Sequence, residues 1–82
     1  MEKLIKVLEA NNYVKHGYGF KRETESNVHW ATVFSDGKVQ LYSYFDPEDA
    51  SNDEKNYDTG QLSGLTPEVL QVLITTLVSN HL

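Results

Sequence analysis

Three histidines, His16, His29 and His81, are the side chains of this chain best suited to acid–base or metal chemistry. An imidazole titrates near neutral pH, so one held beside a second proton carrier can serve as general acid or base. Only His29 has such company nearby. It stands in "HWATVFSDGKVQLYSY", where the chain turns at Asp36-Gly37 and returns past Tyr42 and Tyr44. One histidine with one tyrosine and scattered lysines is a set able in principle to cleave RNA. The bland reading, and the one favoured, is that His29 fills a half-exposed strand position.

The other reactive types lead to no site. No two histidines are spaced as metal ligands and the chain has no cysteine, so neither a zinc site nor a disulfide is expected. The serines have no histidine-plus-acid companions that spacing places beside them. The stretch "DASNDEKNYDTG" starts like a calcium loop at Asp49. It has Glu54 where the tight turn needs glycine, Lys55 at a ligand position and Gly60 where a bidentate acid belongs. Gly17-Tyr18-Gly19 lacks a third glycine and opens no helix, so no phosphate loop is present. The expectation is a protein without metal or cofactor.

The elements that would position these residues form one small α+β domain over residues 1–82, an antiparallel sheet of three or four strands with two helices on one face. The predicted order is α-β-β-β-(β)-α. Residues 2–11 place Leu4, Ile5, Val7 and Leu8 on one helical arc and Lys3, Lys6 and Glu9 on the other, with Asn11-Asn12 as the stop. A short strand is expected to end near Glu23, and two longer ones over residues 28–35 and 38–45. Residues 57–62 read as an edge strand or an extended lead-in. The second helix starts at Thr66-Pro67-Glu68, an N-cap, a first-turn proline and an acid that complements the dipole, and runs to about Asn80.

Asp36-Gly37 is the pair that a two-residue type I′ hairpin favours. That turn pairs Phe34 with Val39, Thr32 with Leu41 and Trp30 with Ser43 on the core face. The open face then carries His29, Ala31, Val33, Gln40, Tyr42 and Tyr44, a half-apolar surface with two tyrosines. Surfaces of this kind mark interfaces more often than plain solvated faces.

The formal net charge of -5 is local. Residues 46–58 hold Asp46, Glu48, Asp49, Asp53, Glu54 and Asp58 against Lys55 alone, while the rest of the chain balances six acids with six bases. The acidic stretch is expected to be a surface loop, and it disfavours nucleic acid as a partner there. No signal peptide or apolar span is present, so a cytoplasmic location without membrane attachment is expected.

The leading reading is therefore a small acidic, non-catalytic protein that binds a protein partner or a second copy through its open face. A variant is an inhibitor whose acidic loop competes for a basic nucleic-acid-binding cleft. The alternative comes from a resemblance. The α-β-β-β-α order is similar to that of double-stranded-RNA-binding domains and of small HicA-type RNA-cleaving toxins, and "KLIKVLEANNYV" with "SNVHW…SDGKVQL" resembles the toxin layout. That resemblance implies an RNA-directed binder or nuclease with His29 as its histidine. Asn27-Val28 stands where the layout has Gly-Ser, and the basic surface is missing.

Overall fold

A computed structural model describes residues 2–24, 27–45 and 57–79. The order is α1 (Glu2–Ala10), β1 (Val14–His16), β2 (Gly19–Glu23), β3 (Asn27–Val33), β4 (Val39–Phe45) and α2 (Pro67–Ser79). The strands form one antiparallel sheet in the order β1-β2-β3-β4. Leu4 and Leu8 of α1 and Leu70, Ile74 and Val78 of α2 share one core with Phe20, Ala31, Val39 and Leu41. The fold is thus the expected α+β class. No helix among the described residues is long and apolar enough to cross a membrane.

Both helix boundaries follow from their capping residues. α1 ends because Asn12 takes a left-handed conformation, φ 69°. The amide of Tyr13 then reaches the carbonyl of Leu8 (3.0 Å) and that of Asn12 the carbonyl of Glu9 (3.1 Å), a Schellman cap that drops Tyr13 into the core. At α2 the hydroxyl of Thr66 accepts the amide of Val69 at 3.2 Å and Pro67 occupies the first turn, as anticipated.

The central hairpin departs from expectation in its turn. A type I′ turn needs positive φ at both Asp36 and Gly37, but only Gly37 (φ 89°) has it. Gly37 donates to the carbonyl of Phe34 (2.9 Å), and Phe34 donates to that of Lys38 (2.8 Å). The connection is therefore a three-residue loop, Ser35-Asp36-Gly37, closed by a type I turn and a left-handed glycine. The extra loop residue slips the register by one, so Ala31 pairs with Leu41, Trp30 with Tyr42 and His29 with Ser43. Because side chains alternate, every β3 residue changes face. His29, Ala31 and Val33 turn toward the helices, and Trp30 and Thr32 turn away. Packing explains the choice: α1 contacts β3 directly, and Ala31, 1% exposed, lets it approach where an indole would hold it off.

A second hairpin lies where a single short strand was expected. Gly17 (φ 61°) and Tyr18 form a two-residue turn that pairs His16 with Gly19. Gly19 has no room for a side chain, since a Cβ would lie 2.9 Å from the carbonyl oxygen of Ala31. Residues 57–62 run along the outer edge of β4 as an extended lead-in, with bridges Tyr42↔Asp58 and Val39↔Leu62.

Candidate functional site

On the helix side, one end of the sheet is polar. Arg22, His29 and Ser43 form a row across β2, β3 and β4, and the Ser43 amide donates to the Tyr57 carbonyl at 3.0 Å. His29 Nδ1 lies 2.8 Å from the Tyr57 hydroxyl. Tyr13 is buried near that hydroxyl, and Arg22 Nη1 donates to the Asn11 carbonyl at 3.0 Å. His29 is 0% exposed and Asn27, Ser43 and Tyr13 are buried beside it.

Burial sets the protonation of the two phenols in this row. Burial raises the pKa of both Tyr13 and Tyr57, and for Tyr57 the neighbouring Tyr13 raises it further. Both phenols therefore keep their protons, and neither is an activated nucleophile or base. The His29 ring, without exposed surface, fixes Tyr57 and with it the lead-in to α2. Among the described residues no group of three or more metal-ligating side chains comes together.

A pH dependence follows. In the unfolded chain a tyrosine ionises near pH ~10. In the folded chain Tyr57 ionises only above that, so the stability it contributes is complete below pH ~10 and is lost as pH rises toward the folded value. Unfolding midpoints measured from pH 9 to 12 should fall steeply above pH ~10, and Tyr57→Phe should flatten that fall. Equal slopes for the two proteins would show that Tyr57 ionises freely in the fold.

The face turned away from the helices carries a different row. Val14, Lys21, Trp30, Tyr42 and Asp58 pair successively across β1, β2, β3, β4 and the lead-in. Lys21 Nζ sits 5.6 Å from the centre of the Trp30 ring and 2.7 Å from Glu23, whose pKa its hydrogen bond lowers. The Trp30 and Tyr42 rings lie nearly parallel, 13° apart with centroids at 6.4 Å, and His16 meets Trp30 edge-on at 5.3 Å. The Gly60 amide donates to Asp58 at 2.9 Å and the Gln40 amide at 2.8 Å, and these bonds, the Gly60 one foremost, lower the Asp58 pKa.

Of the six residues expected on the open face, Gln40 and Tyr42 lie there, half-buried. His29 and Ala31 are buried in the core, and Val33 packs against it opposite Val39, all three moved by the register slip. Tyr44 pairs through its backbone with Val28. Of the acidic stretch, Asp58 is described and exposed, while Asp46, Glu48, Asp49, Asp53 and Glu54 lie outside the described residues. Sequence reasoning missed Val14, His16 and Lys21, although the alternation of "VKH" and "GFKRE" about Gly17 was the available signal.

No protein-family model, curated protein or solved structure matches this chain.

Proposed function

We propose that the protein is a non-catalytic interaction module that binds a protein partner through the outer face of its sheet. The observation that carries this reading is the row Val14–Lys21–Trp30–Tyr42–Asp58, in which an indole and a phenol lie between a cation and a carboxylate. Large rings on a rigid sheet offer contact area at low entropy cost, and the flanking charges set orientation. A partner is favoured over a second copy because each chain carries a net charge of -5, which opposes self-association. The reading places the protein in the cytoplasm, where a cysteine-free chain folds without an oxidant.

Tyr42→Lys and Trp30→Ala test it. Each variant should keep a cooperative melt and lose partner binding by about tenfold or more, as aromatic anchors do. Light scattering of the parent should give a monomer. A dimer that both variants dissociate would assign the face to self-association instead. Single-stranded RNA binding that both variants abolish would move the protein to the RNA-directed reading, with the rings as stacking platforms.

A further inference from the structure

Among the described residues the same face ends at a strand edge that nothing pairs with, and the charge around that edge bears on what it accepts. Building on the interaction reading above, we propose that the partner contributes an acidic, extended segment that joins the sheet beside β1 as an added strand.

β1 terminates the sheet, and all three of its residues are exposed, Val14 at 68%. Nothing among the described residues pairs with its outer edge, whereas the opposite edge, β4, is already lined by residues 57–62. His16 and Gly19 close the two-residue turn and so exchange the hydrogen bonds of that pair. Alternation then turns the N–H and C=O of Lys15 outward, where an incoming backbone would meet them. A cleft of about 320 Å³ lies beside them, lined by Asn12, Val14, Lys15, His16, Lys21 and Glu23.

Charge decides the chemistry of the incoming strand. Residues 14–23 carry Lys15, Lys21 and Arg22 against Glu23, a net +2 in a chain of net -5. Arg22 is held inward by the Asn11 carbonyl, and Lys21 is engaged with Glu23 and Trp30. Lys15 is exposed and makes no ion pair among the described residues. It is the cation left to meet a carboxylate. A second copy fits poorly, because antiparallel pairing of two β1 edges about their middle residue sets Lys15 against Lys15. Val14, alternating with that charge, offers an apolar contact on the face continuous with Trp30.

The probe is an eight-residue peptide of alternating Glu and Val, compared with its Lys-Val counterpart. Binding is followed by amide chemical shifts and hydrogen exchange of the full chain. The Glu-Val peptide should bind, protect the Lys15 amide and weaken with added salt, and the Lys-Val peptide should not bind. Lys15→Glu should cost tenfold or more in affinity. Lys15→Pro removes the outward donor without touching the β1–β2 ladder, and should lose binding while melting like the parent. Equal binding of both peptides, binding of neither, or indifference to Lys15→Glu would overturn the proposal. Should the peptide fail while Tyr42→Lys still abolishes partner capture, the edge is not used and the interaction reading stands. Peptide binding at β1 with partner capture untouched by Tyr42→Lys would instead remove the outer face.

Discussion

Placing an aspartate at Ala31 is expected to destabilise the protein severely, while the same change at Thr32 leaves its stability nearly unchanged. Ala31 is 1% exposed between β2 and β4 and beneath the helices, so a carboxylate there loses its hydration without gaining a partner. Such burial costs about 3–5 kcal/mol. A domain of this size has about 4–12 kcal/mol in total. Thr32 faces the other way, half-buried opposite Gln40, and a charge there can reach water. Its cost should stay below about 1 kcal/mol. The pair of variants reads the hairpin register directly. With a two-residue turn the outcomes would be reversed, since Thr32 would be the inward residue. Chemical denaturation of both proteins decides between the registers.

Leu70→Ala is expected to be nearly as damaging. The side chain is 0% exposed, on the first inward turn of α2, and it packs into the cluster that joins both helices to the sheet. Truncation removes apolar burial and leaves a cavity, which together cost about 2–5 kcal/mol. Val72, 64% exposed on the same helix, provides the control, and Val72→Ala should shift stability by less than about 0.5 kcal/mol. Thermal melting that fails to separate the two would mean that α2 is rotated from the packing described.

The helices were legible in the sequence because their signals are local. The 3.6-residue spacing of Leu4 with Leu8, and of Leu70, Ile74 and Val78, marks the inward stripe wherever the helix packs. Asn12 and Thr66 act on amides and carbonyls within five residues of themselves. The parity of β4 was legible for a similar reason, since Val39 and Leu41 are apolar and Gln40 is not. The β1–β2 hairpin was not read, because its strands are short and Gly17-Tyr18 is a weaker turn signal than Asp36-Gly37.

The two helices with their caps, the three longer strands in their order, and the core residues of β4 and the helices are determined by the sequence alone. The face of β3 is not. Asn27-Val28-His29-Trp30-Ala31-Thr32-Val33 alternates without a clear winner, because the set with the large indole and the set with the small alanine and the histidine each mix apolar and polar residues. Asp-Gly serves both a two-residue and a three-residue loop, so the turn does not break the tie. Two tertiary terms do. α1 packs on β3, where Ala31 is small enough to lie beneath it, and the histidine that comes inward with Ala31 finds a half-buried partner in Tyr57, 28 positions away. Trp30 gains ring contacts with His16 and Tyr42 on the other side, so the slip that removes His29 from the outer face also builds the aromatic row there. Contacts between residues so distant in the chain leave no periodic trace, and only the packed structure chooses between two registers that differ by one residue.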